Sequence, residues 1–439
     1  MTRYPASAAL LLTSWFVACG GGDEGKNDLP ATGTGGEPPA YACSDSGAQA
    51  GEPATEAGAG GTGGDSGGEP PVSYGGGTLV GAKHGYFPTT VTKADAESAF
   101  ETFRDQYVVD CGANGLRVTT EGTNETLSEG IGHGALLAVG WSDRDTFDGI
   151  LTYYKKAVAA SDAKKLAKHG LMGWRVWGDA CTFQEVEPGA VSGAELNMAM
   201  ALLQAQCRWG GNEYYYAAMD IMDAIRKHMT AEVPEGTALL PSDMDEFSGC
   251  MNASYSAPAY YRVFAKAQAA QAAFWNRMAD DSYVFLEAAT NPSTGLVGDW
   301  AAVGGSACSE ATDFVGYDAI RTHWRMATDY AWFGTASAKS WLERVTAWTD
   351  TAVGTAKMMD VQDGFFSDGT EILGDPGLAN SAFVGAFALG TMPISQKMSD
   401  SYHTVFADVP PGNDSSYYSE AARAVYLMLS ANKFSPGCY

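Results

Sequence analysis

Apolar side chains recur every three or four residues through most of the chain after Gly77, the period of an amphipathic helix. Phe100, Phe103 and Tyr107 share one face, as do Leu196, Ala199 and Leu203, then Ile221, Ile225 and Met229. Near the C-terminus Ala422, Val425 and Leu429 repeat the spacing. Alternating Val- and Ile-rich runs are scarce, so strands are not expected to carry the fold. At roughly 30 residues per helix and loop, the stretch 78–439 accommodates about a dozen helices. The pattern predicts one all-α domain, with Gly-, Pro- and Asp-rich loops between helices where a site can sit.

Upstream the pattern stops. Residues 20–77 are Gly, Pro, Ala, Ser, Thr and acid, as in GAGGTGGDSGGEPP, with almost no large apolar side chain. Such a segment buries too little surface to offset the entropy of ordering it, and reads as a flexible tether. Residues 1–19 read as an export signal: Arg3 precedes the apolar run AALLLTSWFVA, and Phe16-Val17-Ala18-Cys19 is similar to a bacterial lipoprotein cleavage box. The run is too short to span a bilayer, and no later segment supplies about 18 uninterrupted apolar residues. The expectation is an outer-membrane or cell-surface lipoprotein whose sole membrane contact is a lipid on Cys19. Ordinary cleavage near Ala18 would instead give a secreted protein.

Charge narrows the partners. Across 439 residues, 27 basic side chains face 52 acidic ones, a formal charge of −25. Nucleic acid and anionic membrane surfaces select for basic patches, so neither is expected as a partner. A neutral or cationic polymer fits, although acidity is also common among extracellular proteins. Export permits disulfides. With Cys19 set aside, Cys43, Cys111, Cys181, Cys207, Cys250, Cys308 and Cys438 remain, an odd number, and Cys43 in the tether is the candidate for the unpaired one. Their spacing leaves the pairing open. With no CxxC and no His at zinc-ligand spacing, no metal site is expected.

Two distant stretches carry chemistry. LSEGIGHG sets Glu129 among glycines, and GYDAIRTHWRMATDY sets Asp318 beside Tyr317, Arg321, Trp324 and Arg325. Glycosidic-bond hydrolysis needs two such acids, one to protonate the leaving oxygen and one to activate water or attack the sugar. Taken singly, Glu129 reads first as a loop or helix-capping acid and Asp318 as an ion-pair partner of Arg321 or Arg325.

Five segments in order raise the specificity. SEGIGHG (128–134) with the Leu-rich run after it, NASYSAPAYY (252–261), GLVGDW (295–300), YDAIRTHWRMATDY (317–330) and YYSEAARAVYLMLSANKF at the end resemble the motifs of family 8 glycoside hydrolases over about residues 84–434. The resemblance implies an (α/α)₆ barrel, six inner and six outer helices, with a cleft at one end. It also implies endo-acting, inverting cleavage of β-1,4 bonds, with cellulose or β-glucan as the leading substrate and xylan and chitosan as the others. It makes Glu129 the general acid and Asp318 the general base, requires no cofactor, and suits a monomer. Inversion calls for carboxyls roughly 6.5–9.5 Å apart, with the acid protonated and the base ionised.

One position departs from that family. Its helix-starting acidic motif corresponds here to AVSGAELNMAMALL (190–203), so Gly193 stands where an Asp that helps bind the sugar belongs, and Glu195 keeps the second acid. His133 replaces a Tyr. The alternative reading is therefore a catalytically impaired surface protein that binds a glycan, and a third is an accessory enzyme of polysaccharide synthesis. Pyranose rings stack on flat aromatic faces, which makes Trp174, Trp177, Tyr255, Trp300, Trp324 and Trp332 candidates, alongside core packing. The substrate-binding set expected from these observations is His133, Trp174, Glu195, Tyr255, Trp300, Tyr317, Arg321 and Trp324. The acidic stretches DRDTFDG (143–149) and DVQDGFFSDG (360–369) lack the EF-hand pattern and read as a helix start and a loop.

Overall fold

The computed structural model describes residues 77–439, apart from 121–123, 169, 245–248, 304–307, 309–312, 362, 371–379 and 410–416. The export signal, Cys19, Cys43 and the tether up to residue 76 lie outside the described residues. The helices, in chain order, are α1 (Lys93–Tyr107), α2 (Ser128–Trp141), α3 (Arg144–Lys164), α4 (Ser192–Trp209), α5 (Asn212–His228), α6 (Pro258–Ala267), α7 (Ala272–Ala289), α8 (Thr322–Phe333), α9 (Ala336–Ala352), the single turn α10 (Gly354–Lys357), α11 (Ser381–Gly390), α12 (Gln396–Asp408) and α13 (Tyr417–Ser430).

Two kinds of helix alternate along the chain. Every residue of α11 is buried, as is every residue of α4 from Ser192 to Cys207, and α2 leaves only Glu129 and Trp141 partly open. Helices buried all round belong inside. By contrast α5 buries one stripe, with Tyr214, Ala218, Ile221, Met222 and Ile225 inward and a charged face outward. The inner helices α2, α4, α6, α8, α11 and α13 each touch the next, and α13 returns to α2, closing a ring. Around it α1, α3, α5, α7, α9 and α12 each pack on an inner neighbour. That is a barrel of six inner and six outer helices.

Local sequence explains several starts. The Thr92 hydroxyl accepts from Asp95 N at 3.1 Å while the Asp95 carboxylate accepts from Thr92 N at 2.8 Å, a reciprocal cap on α1. Asp143, in one of the acidic stretches, caps α3 by accepting from Thr146 N. Pro258 opens α6, where its missing N–H costs nothing. The strands are two to four residues long and serve the loops. Among the described residues, disulfides join Cys111 to Cys181, Cys207 to Cys438 and Cys250 to Cys308, and no helix is long and apolar enough to cross a membrane.

Candidate active site

The N-terminal ends of the inner helices converge on one end of the barrel, and the sequence motifs lie there. Glu129 is the second residue of α2, whose start is tied down by Ser128 N donating to the Trp174 carbonyl at 2.9 Å. The short antiparallel sheet of Thr126–Leu127, Arg175–Trp177 and Glu185–Glu187 holds that junction. The glycines of the motif let α2 sit close to α4: a Cβ on Gly132 would come within 2.9 Å of Asn197 Cβ and 3.0 Å of the Ala194 carbonyl. Asp318 precedes the 3₁₀ turn Ala319–Arg321 that leads into α8.

Arg321 joins the two acids. Its Nη1 donates to Glu129 Oε1 at 2.5 Å, and its Nη2 pairs with Asp318 Oδ1. The Arg321 side chain is 6% exposed, against 22% for Glu129 and 35% for Asp318, so the carboxylates look outward and the cation lies beneath them. Its guanidinium lies between two aromatic rings, 5.2 Å from the Tyr255 centroid and 5.7 Å from that of Tyr418. Carboxylates at helix N-termini are further favoured by the helix dipole.

This geometry sets the protonation preferences. Burial pushes the Glu129 carboxyl up, but the Arg321 charge, joined by His133, the Arg321 hydrogen bond and Arg325, outweighs it and holds the group below the usual carboxylate range. At Asp318 burial wins over Arg321, the Glu129 charge adds to it, and the pKa is raised. In the unliganded site, then, the expected order is reversed: Glu129 loses its proton more readily than Asp318. Burial lowers the His133 imidazole to about 4, which leaves it neutral near neutral pH.

A third carboxylate escaped the sequence reading. Asp299, in GLVGDW, accepts at one oxygen from Gly316 N at 2.9 Å and Ala319 N at 2.8 Å, gripping the loop that presents Asp318 from both sides. Burial and the nearby Asp318 charge raise its pKa to about 6. Tyr418 was also missed. Its hydroxyl donates to the Tyr317 carbonyl at 2.7 Å, tying α13 to the same loop. Both lie inside quoted motifs, as an acid before Trp300 and as the second Tyr of YYSEAAR.

The remaining expected residues divide. Trp174, Tyr255 and Trp300 are partly exposed at this end, and Trp177 is 43% exposed, with the Arg175 guanidinium 5.7 Å from the Trp174 ring and 5.8 Å from that of Trp177. Tyr317 braces its own loop: its hydroxyl donates to Asp363 at 3.1 Å and accepts from Asn380 at 3.0 Å. His133 is buried with its ring 6.0 Å from Trp324.

Four expectations need correction. Glu195 is fully buried, accepting from the Tyr154 hydroxyl at 2.5 Å and from Met172 N at 3.0 Å, and so is not placed to touch a sugar. It lies two residues beyond Gly193, about 200° around the helix, on the face turned from Tyr255. Trp324 is 1% exposed and packs on Tyr426 and Phe434, and Trp332 likewise is core, donating to the Phe434 carbonyl. Arg325 is a buried strut, bonded to Asn197 and the Ser254 carbonyl.

Comparison with known proteins agrees with this architecture. The family model described as glycosyl hydrolases family 8 matches residues 85–432. Endoglucanase 2 of Ruminiclostridium josui is 30% identical over 352 residues, covering 78% of this chain and 72% of that one. Beta-glucanase of Niallia circulans is 25% identical over 79% of this chain and 87% of its own. Among solved structures, the beta-1,3-1,4-glucanase from Paenibacillus sp. X4 superposes with a TM-score of 0.69 at 23% identity, over 83% of this chain and 98% of that one. The match runs through both acid-bearing segments and the whole ring of inner helices, and the chain belongs to glycosyl hydrolases family 8, as an (α/α)₆-barrel glycoside hydrolase.

Proposed function

We propose that the protein hydrolyses internal β-1,4 bonds of a polysaccharide by single displacement, with cellulose or another β-glucan as substrate ahead of xylan and chitosan. The observation that carries this reading is the pair of outward-facing carboxylates, Glu129 and Asp318, held by one buried guanidinium. Glu129 protonates the departing glycosidic oxygen. Asp318 takes a proton from water as that water attacks the anomeric carbon from the opposite face, and the C–O bond breaks with inversion. Glu129 must first gain a proton. A sugar that displaces Arg321 Nη1 weakens the largest interaction that lowers its pKa and leaves burial, which raises it, the stronger. The exposed Trp177 and the partly exposed Trp174 and Trp300 supply stacking faces. The relatives named as endoglucanase and beta-glucanase favour a β-glucan, and the likeness of residues 16–19 to a lipoprotein cleavage box favours action at the cell surface.

The test is reducing-sugar release from β-glucan, carboxymethyl-cellulose, xylan and chitosan, with Glu129→Gln and Asp318→Asn alongside. Release from one polymer, abolished in both variants and giving the inverted anomer by NMR, is the expected result. Binding to a polymer with no release by the natural chain would favour a glycan-binding role, consistent with the missing acid at Gly193.

A further inference from the structure

The stretch DVQDGFFSDG (360–369) holds one side of a short antiparallel ladder. Its Phe365–Phe366 pairs with Phe314–Val315, with Phe314 opposite Phe366 and Val315 opposite Phe365. Residues directly opposite share a face, and successive residues alternate between faces. Val315 and Phe365 are buried, Phe365 against the rings of Trp348 and Phe387. Phe314 and Phe366 therefore share the outer face, at 37% and 42% exposed. Among the described residues they are the two exposed phenylalanines. Phenylalanine has no polar tip to keep in water, so a pair of them on one surface calls for an apolar partner.

This face is built on the loop that carries Asp318. The Phe314 carbonyl accepts from Asp299 N at 2.8 Å, and Asp299 in turn grips Gly316 and Ala319. A Cβ on Gly316 would come within 2.5 Å of Phe314 Cε1 and 2.6 Å of Asp299 Oδ2, so the Phe314 ring lies on the backbone two residues before the base. Asp318 is four residues from Phe314, at most about 14 Å of chain. The partner strand is fixed as well. Ser367 N donates to the Asp313 carbonyl at 2.6 Å, and Thr294 Oγ1 to the Ser367 carbonyl at 2.6 Å. Asp313 and Asp368, both exposed, flank the two phenylalanines in sequence. An apolar face bordered by carboxylates suits a pyranose, whose C–H faces are apolar and whose rim carries hydroxyl donors.

We propose that Phe314 and Phe366 form a sugar-stacking subsite on the Asp318 side of the cleft, taking a pyranose ring beyond the two that flank the bond being cut. The subsite rests on the glycan reading given above. The Trp174 carbonyl is tied to the start of α2 beside Glu129, so each acid then has an aromatic surface attached to its own segment, and a long chain is held at both.

The experiment compares kcat/KM of the full chain on oligosaccharides of three and of six sugars from whichever polymer it cleaves, in the natural sequence, Phe366→Ala, Phe366→Trp and Phe314→Ala. Phe366→Ala is expected to lose roughly five- to tenfold on the hexasaccharide, through KM, and markedly less on the trisaccharide. Phe366→Trp keeps a flat face and is expected to restore the hexasaccharide. Phe314→Ala, whose ring bears on the base loop, is expected to lose kcat as well. If the natural chain binds a polymer without cleaving it, retention in affinity electrophoresis replaces kcat/KM, with the same order of variants expected. Hydrolysis that stands while a folded Phe366→Ala loses equally on both lengths, or not at all, overturns the subsite and leaves the hydrolase reading intact, as does unchanged retention for the binding role. Absence of both cleavage and binding in the natural chain overturns the two together. A natural chain that sediments as a dimer, with Phe366→Ala a monomer, would make this face a self-association surface and overturn the subsite too.

Discussion

The ring of Tyr255 lies on the backbone of Gly193, so close that a Cβ there would come within 2.9 Å of Tyr255 Cδ1 and 3.2 Å of Cε1. The space where a side chain at 193 would begin is filled by an aromatic face. Tyr255 is also the ring stacked on Arg321, so any side chain at 193 acts on the acid pair through it. In an open helical position Gly→Ala gains up to about 1 kcal/mol. Here Gly193→Ala is expected to cost about 1–3 kcal/mol from overpacking and to lower kcat, and Gly193→Asp to do both more severely. Denaturant unfolding and steady-state kinetics check this. A more stable and more active Gly193→Asp would show that Tyr255 yields freely.

The reversed proton preference of the acids has a kinetic signature. The pH profile of kcat/KM reports the free protein and that of kcat the complex. In the free protein Arg321 lowers Glu129, so the proton needed by the acid is lost early as pH rises, while raised Asp318 delays ionisation of the base. The kcat/KM profile is therefore expected to be narrow and centred on the acidic side. The kcat profile, with Arg321 displaced from Glu129, is expected to extend to higher pH. Superimposable profiles would mean that Arg321 stays on Glu129 during turnover.

Asp299 acts on the reaction through the Asp318 loop. Asp299→Ala leaves the Gly316 and Ala319 amides without their acceptor, at about 1–3 kcal/mol of stability, and is expected to lower kcat roughly 10- to 100-fold by misplacing the base. Asp299→Asn keeps an acceptor oxygen and is expected to recover much of both. The contrast between the two variants, measured as kcat with KM little changed, distinguishes positioning from sugar binding.

Glu195 makes stability depend on pH. Burial raises its pKa from the ordinary 4.5 to about 8, against the hydrogen bonds from Tyr154 and Met172. A raised acid favours the folded state while it is protonated. Its contribution is complete below pH 4.5 and is lost as pH climbs toward 8. Glu195→Gln, isosteric and uncharged, is expected to be more stable than the natural chain at pH 8 by about 1 kcal/mol or more, with the gap closing below pH 5. Urea unfolding at both pH values tests this.

Much of this arrangement is legible in the chain before folding. Motif order placed Glu129, Asp318 and Arg321, and the helical period of Leu196, Ala199 and Leu203 anticipated α4. What was not legible is direction. Glu195 and Trp324 sit within quoted motifs, yet a helix turns about 100° per residue, and neighbours in sequence look to different sides. Asp299 was passed over because a loop acid announces no partner: its two acceptances come from residues 17 and 20 positions away. The protonation order was hidden for a related reason. It depends on Arg321 reaching Glu129 across 192 positions, which nothing in either motif states.

The last inner helix, α13, packs against the first, α2, and a disulfide then fastens residue 207 to residue 438. A chain emerging from its N-terminus therefore holds an unfinished ring until α13 and Cys438 are made. Until then α2 and α11 present apolar faces with no neighbour, the kind of surface on which partly made chains aggregate. Loss of even the last few dozen residues would remove a wall from the barrel at the same time as its closing bond.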